Sequence, residues 1–146
     1  HHSYAHPDSA WVTEGNGADY FNPPASLSTP LPSPILTFTL RETAEISGFV
    51  YWGYIFNPGA SAIGHEPSKM RFRFFDREDQ LIGEPIDREV SAPTRQRARV
   101  LRLPSTPGVK RIEVEILDNF AHLSGGDRVG LGEVRFLSGL KEGAND

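Results

Sequence analysis

Proline and glycine recur along this chain at intervals too short for most of it to be helical. The sequence contains 12 prolines and 14 glycines among its 146 residues. Proline removes a backbone donor and clashes with the preceding helical turn, and glycine weakens a helix through its backbone entropy. Few windows between these residues can hold a helix of ordinary length. The sequence therefore predicts strands and turns, with helix limited to short turns.

Apolar and polar residues alternate in several of the segments between these breaks. The segment 111–116, RIEVEI, places its three aliphatic side chains on one parity, and the segments 36–41 and 70–74 repeat the pattern. A period of two is typical of a strand that has one face in the core. Further strands are predicted at Leu101–Leu103 and Val129–Phe136, and a short one at Trp11–Thr13.

The segment Ile46–Ile55 is apolar on both parities, which predicts a central strand covered on both sides. About eight short strands with turn-rich connections favour an all-β fold, an antiparallel jelly-roll β-sandwich. We expect one domain spanning residues 1–146, with its core at about 9–138 and a polar tail at 139–146. The side chains predicted to be buried are Val50, Trp52, Phe72, Phe74, Ile112, Val114 and Ile116.

Composition excludes several classes of function. The chain has no cysteine, which removes thiol catalysis, disulfides and cysteine-ligated zinc. Its 15 basic and 19 acidic residues give a net charge of -4, which argues against nucleic acid as the main partner. Its apolar runs are far shorter than the roughly 18 residues of a membrane span. It contains no nucleophile elbow, metalloprotease helix, phosphate loop or dinucleotide fingerprint, so we expect no enzyme activity.

The last predicted strand changes its inward parity midway. Val129 and Leu131 share one parity, whereas Val134 and Phe136 share the other. A β-bulge at Gly132-Glu133 would reconcile the two halves, because one extra residue moves every later side chain to the opposite face. A carboxylate at that distortion needs a partner, which is either an arginine or a cation.

The closing part of the chain resembles a known family. The segments Arg111–Phe120 and Gly125–Phe136 resemble the C-terminal signature of discoidin-like domains, also called coagulation-factor type C domains, and of family 32 carbohydrate-binding modules. Ser9-Ala10-Trp11 resembles the Thr-x-Trp element near the start of such domains. The resemblance covers roughly Ser9–Phe136 and implies the galactose-binding-like jelly roll.

The same resemblance implies a structural calcium ion between the opening loop and the last strand. Glu133 matches the family's glutamate and Ser9 matches its threonine, while Tyr4-Ala5 stands where the family has Asp-Gly. Asp8 is the candidate replacement for that missing aspartate. We therefore expect calcium held by Asp8, Ser9 and Glu133, with a Glu133–arginine pair as the alternative.

Sugar-binding members of the family bind their ligands with loops at one end of the barrel. The arginine that commonly follows the central strand is absent here, because 56–59 reads FNPG. The corresponding loops are Asn16–Tyr20, Asn57–Glu66 and Asp118–His122, which we call the rim loops. Amide, imidazole and aromatic groups suit hydroxyl recognition and stacking on a sugar ring. The predicted ligand-binding residues are Tyr20, Asn57, His65, Asn119, Phe120 and His122, with Phe120 or Tyr20 as the stacking surface.

Two functional hypotheses follow. The first is a carbohydrate-binding module that binds a glycan or polysaccharide. It would be a monomeric domain appended to a larger secreted, cell-surface or periplasmic bacterial protein. The second is a structural or protein–protein adhesion domain of the same fold. Arg95, Arg97 and Arg99 are expected to form the solvated outer face of a strand, balanced by Glu113 and Glu115, with recognition of an anionic glycan as the alternative.

Overall fold

A computed structural model describes residues 11–13, 20–22, 33–53, 64–91, 98–124 and 128–139. Within them, helix is limited to the single turn α1 and a short 3₁₀ segment at Gly64-His65, so the prediction of helix limited to short turns is confirmed for this part of the chain. No described helix is long and apolar enough to span a bilayer. The elements are β1 (Trp11–Val12), β2 (Ile35–Gly53), β3 (Pro67–Phe75), β4 (Ile86–Glu89), β5 (Ala98–Asn119), α1 (Ala121–Ser124) and β6 (Gly130–Leu137).

The described strands form one sheet in the order β1-β6-β2-β5-β3-β4, and every neighbouring pair is antiparallel. The all-β antiparallel class is therefore confirmed. β4 was missed by the sequence reasoning, because its four residues contain a single apolar side chain. The eight-stranded jelly roll stays a prediction.

Two strands, β2 and β5, are longer than the sequence pattern predicts. The segments 36–41 and 46–55 were expected as separate strands, but β2 is continuous through both as far as Gly53. It pairs with β5 along its length, with register shifts between Thr39 and Gly48. Irregular pairing lets a strand bend without breaking its ladder. An apolar pattern that breaks off therefore marks a bend here, and the strand continues through it.

Aromatic rings on β2 contact rings on β3 and β6. The Phe49 ring on β2 lies 5.1 Å from the Phe72 ring on β3, and the Phe38 ring lies 5.2 Å from the Phe136 ring on β6. Edge-to-face contacts at this spacing are favourable for aromatic pairs. Six of the seven side chains predicted to be buried are buried: Val50, Phe72, Phe74, Ile112, Val114 and Ile116.

Trp52 is the exception, since it is only half-buried. Its parity is opposite to that of Phe49 and Tyr51, which pack in the core. On that face, the Arg135 guanidinium lies 5.8 Å from the centre of the indole ring. The prediction that Trp52 is buried was wrong, because its side chain has the opposite parity to the core residues Phe49 and Tyr51 and is only half-buried.

The bulge predicted in the last strand is confirmed. Tyr51 pairs with Val134 and Gly53 pairs with Leu131, so Gly132 and Glu133 together lie opposite one residue of β2. Leu131 is buried before the bulge, and Val134 and Phe136 pack against the core after it. The extra residue therefore keeps both halves of β6 facing inward.

Candidate functional site

Two of the predicted rim loops meet at one end of the sheet. The backbone N–H of Phe120 donates to the carbonyl of Glu66 at 3.2 Å. Pro67 pairs with Asn119 at the ends of β3 and β5, and the Ser68 hydroxyl donates to the Asn119 carbonyl at 3.1 Å. The two loops are far apart in the sequence, so the sequence does not show that they meet. They meet because β3 pairs with β5, which places the start of β3 beside the end of β5. We call this contact the loop junction.

Asn119 is a structural member of the loop junction. Its side chain is buried, with 2% of the residue exposed. The amide nitrogen donates to the Arg128 carbonyl at 2.9 Å, and the amide oxygen accepts from the Ala121 N–H at 3.1 Å. Hydrogen bonds of this kind hold a loop in a single geometry. Asn119 therefore ties the start of α1 to the segment that leads into β6.

The predicted aromatic residues lie beneath the surface. Phe120 is 5% exposed and Tyr20 is 6% exposed, so neither ring offers an open face for stacking in this structure. The exposed imidazole of His122 lies 6.2 Å from the Phe120 ring, centre to centre. His65 is half-buried on the other side of the junction. Among the described candidates, the two imidazoles are the groups that reach solvent, and Asn57 lies outside the described residues.

Glu66 is a feature that the sequence reasoning missed. It is 2% exposed, and its Oε2 atom has no hydrogen-bond partner among the described residues. Burial raises the pKa of this carboxyl from 4.5 to about 7, and the positive charge of Arg99 partly opposes the rise. Burial also raises the pKa of the Tyr51 hydroxyl, with a smaller contribution from Glu66. In the sequence, Glu66 precedes Pro67 at the end of a polar loop, and this pattern does not indicate that the Glu66 side chain is buried.

The arginine face is only partly described, since Arg95 and Arg97 lie outside the described residues. The Arg99 guanidinium donates to the Ser91 carbonyl at 2.9 Å. The expectation that Glu113 and Glu115 balance this face was wrong.

Those two glutamates pair with other arginines. Glu115 binds Arg73 at 2.9 Å and Glu113 binds Arg111 at 2.7 Å. Arg111 is two residues from Glu113 on β5 itself, whereas Arg73 lies on the neighbouring strand β3, diagonal to Glu115. Arginines of β5 and β3 therefore satisfy the two glutamates on the outer face of the sheet.

The predicted calcium site is described only at its C-terminal end. Asp8 and Ser9 lie outside the described residues. The Glu133 carboxylate lies at the bulge, partly exposed, with one oxygen 3.6 Å from the Arg135 guanidinium. No group of three or more possible metal-binding side chains occurs among the residues described. Calcium takes six to eight oxygens, so Glu133 alone does not make a site.

Comparisons with known proteins identify the fold. No family model and no curated protein matches the sequence. Three solved structures share the architecture at low sequence identity. The F5/8 type C domain of a Bacteroides fragilis protein is 15% identical, with a TM-score of 0.60 over 88% of this chain and 72% of that one.

The second is a CBM32 module from Clostridium perfringens in complex with GalNAc-β-1,3-galactose. It is 16% identical, with a TM-score of 0.55 over 88% of this chain and 75% of that one. The third is the lectin domain of lectinolysin in complex with the Lewis B antigen. It is 10% identical, with a TM-score of 0.51 over 90% of this chain and 72% of that one. The resemblance to discoidin-like domains and family 32 carbohydrate-binding modules is thus confirmed, and the chain has the fold of F5/8 type C, or discoidin-like, domains and CBM32 modules.

Proposed function

We propose that this chain is a non-catalytic carbohydrate-binding module that binds a glycan at the loop junction. The observation that carries the proposal is that two rim loops are joined at one end of a rigid sheet. The backbone N–H of Phe120 in one loop donates a hydrogen bond to the carbonyl of Glu66 in the other. Loops held on a rigid scaffold are the usual place for recognition. The same fold binds GalNAc-β-1,3-galactose in one structural neighbour and the Lewis B antigen in another.

The proposed ligand contacts are divided by burial. His65 and His122 reach the surface and can donate to and accept from sugar hydroxyls. Tyr20, Asn119 and Phe120 support these contacts from beneath. Binding is expected to be weak, because each new hydrogen bond replaces one to water and gains only about 0.5–1.5 kcal/mol. A module of this kind holds a larger protein near its glycan, so we place the parent protein outside the cell or in the periplasm.

The alternative is a domain that binds protein at the same loops. Leu123, which follows His122 in α1, is 50% exposed. An exposed aliphatic side chain suits a protein contact better than a hydrated sugar. A glycan is nevertheless favoured, because the exposed residue beside Leu123 is His122, whose imidazole can form hydrogen bonds with hydroxyl groups.

Screening the protein on a glycan array is expected to identify bound glycans, and His122→Ala is expected to weaken their binding by about three- to tenfold. This is the effect of losing one net hydrogen bond. Isothermal titration with the array ligand measures it. His122 is exposed, so the melting temperature should stay unchanged.

Gln80→Ala is the control, because Gln80 lies exposed in the turn between β3 and β4. Equal affinity of the His122 variant and wild type would move the site elsewhere. An array without any bound glycan would favour the adhesion domain.

We also propose that calcium stabilises the closing strand, held by Glu133 with Asp8 and Ser9. Adding EDTA should then lower the melting temperature, and Glu133→Gln should abolish that effect, as measured by differential scanning fluorimetry. Binding to the native state alone stabilises it by mass action. If chelation leaves the melting temperature of the wild type unchanged, the calcium proposal fails and the Arg135 pair stands as the alternative for Glu133.

A further inference from the structure

A polar cleft lies away from the loop junction, where β2 bends beside the turn between β3 and β4. Its volume is about 350 Å³, and its lining residues are Arg41, Glu42, Thr43, Arg77 and Lys110. Lys110 is nine residues from Asn119 along β5, which corresponds to about 30 Å of extended strand. The cleft is therefore a separate surface from the proposed glycan site.

Three elements bring positive charge to this cleft. Arg41 comes from the bend of β2, Arg77 from the turn after β3, and Lys110 from β5. The Lys110 ammonium donates to the Arg41 carbonyl at 2.8 Å, which fixes the position of its charge beside the bend. Glu42 is the single acidic residue of the lining, so the cleft has a net charge of about +2.

Three other nearby carboxylates have partners of their own, and a fourth, Glu78, lies exposed in the turn beside Arg77. Asp76 accepts two backbone N–H groups within its turn, and Asp79 binds Arg111 at 2.8 Å. Glu45 accepts from the backbone N–H of Gly139 at 3.2 Å. These three carboxylates therefore bind backbone N–H groups or Arg111, and none of them pairs with Arg41, Arg77 or Lys110. Two exposed guanidinium groups and one ammonium group are thus left facing a cleft of ligand size.

We propose that this cleft binds an anionic substituent, a sulfate ester or a carboxylate, of an acidic polysaccharide. The planar guanidinium of arginine matches both groups through paired hydrogen bonds. Nucleic acid is disfavoured because its closely spaced phosphates need a positive surface that extends far beyond a single cleft. The choice of a polysaccharide rests on the proposed function, whereas the cleft itself does not depend on the loop junction.

The test is binding of three polymers, chondroitin sulfate, desulfated chondroitin and neutral galactan, measured by affinity electrophoresis at low and at physiological salt. Wild type is expected to retard on chondroitin sulfate, more strongly at low salt. The double variant Arg41→Ala/Arg77→Ala is expected to bind about tenfold or more weakly, because two charge-assisted contacts are lost. If the protein is retarded on desulfated chondroitin as well, the carboxylate is sufficient for binding. If retardation is lost on desulfated chondroitin, the cleft binds the sulfate ester.

The matched control is Arg71→Gln/Arg135→Gln, which removes the same charge from other parts of the sheet. It should retain the binding. No binding to either acidic polymer, equal loss in the control, or equally tight binding of duplex DNA would overturn the proposal. Binding of galactan that the Arg41/Arg77 variant retains would leave the proposed function standing even if the cleft fails. Thermal melting of each variant checks that it folds.

Discussion

Replacing Glu66 with glutamine is expected to stabilise the protein at pH 8 by up to about 3 kcal/mol and to change its stability little at pH 4. The carboxyl is buried at the loop junction, and its pKa is raised from 4.5 to about 7. A tenfold change in an acid dissociation constant corresponds to about 1.4 kcal/mol, which gives the size of the effect. Glutamine keeps the shape of the neutral acid without its charge.

The direction follows from proton linkage. The folded protein holds the Glu66 proton more tightly than the unfolded chain does, so protonation favours folding. This contribution is fully present below pH 4.5 and is lost as the pH rises through about 7. The groups that act on Glu66 oppose one another, since burial favours the neutral acid and the Arg99 charge favours the carboxylate.

Urea denaturation at pH 4, 6 and 8 measures this difference in the free energy of unfolding. Glu89→Gln is the control, because Glu89 is exposed on β4 and its replacement should leave the pH profile of the wild type unchanged. If the Glu66 variant and wild type differ by the same amount at all three pH values, the buried carboxyl does not titrate between folded and unfolded states and our description of it is wrong.

Phe49→Ala is expected to destabilise the protein by about 3–5 kcal/mol, as a buried phenylalanine does when it is truncated. Phe49 is fully buried, and its ring contacts three others, those of Tyr51, Phe72 and Phe136. These contacts join β2 to β3 and β6, so removing the Phe49 ring would leave a cavity between these three strands.

The free energy of unfolding in urea tests this prediction as well. Ile35→Ala is the control, since Ile35 is 51% exposed and its loss should cost less than about 0.5 kcal/mol. If Phe49→Ala does not fold, Phe49→Leu gives a smaller cavity and an intermediate loss that can be measured. Equal stabilities for Phe49→Ala and Ile35→Ala would contradict the core described here.

The alternation of apolar residues was sufficient to predict the strand class and one fine detail. The parity change between Leu131 and Val134 has a single economical explanation, a bulge, and the register of β6 contains it. Local pattern succeeds here because strand geometry has a strict period of two. The same reasoning placed Phe72, Phe74 and Ile112 in the core.

Failures arose where a property depends on contacts outside the local apolar pattern. Trp52 was expected in the core from the apolar run of its own strand, but it is half-buried, with a parity opposite to that of the core residues Phe49 and Tyr51. Glu115 was assigned to the wrong arginine face, because its partner Arg73 lies on the neighbouring strand β3. The register of β5 against β3 cannot be read from the local sequence.

The candidate site could be predicted only in outline. The loops that meet at Glu66 and Phe120 were identified, because family resemblance points to that end of the fold. The burial of Glu66 and the grouping of Arg41 with Arg77 could not be predicted, since each depends on contacts between residues distant in sequence. Long-range contacts of this kind require the folded chain.

Nitrogen–proton correlation NMR during titration with the tightest glycan from the array tests whether the glycan binds at the loop junction. Saturable shifts are expected at residues 64–66 and 119–124, on the two sides of the hydrogen bond between Phe120 and Glu66. Shifts confined to residues 104–110 and 135–139, with the loop junction unaffected, would contradict this proposal.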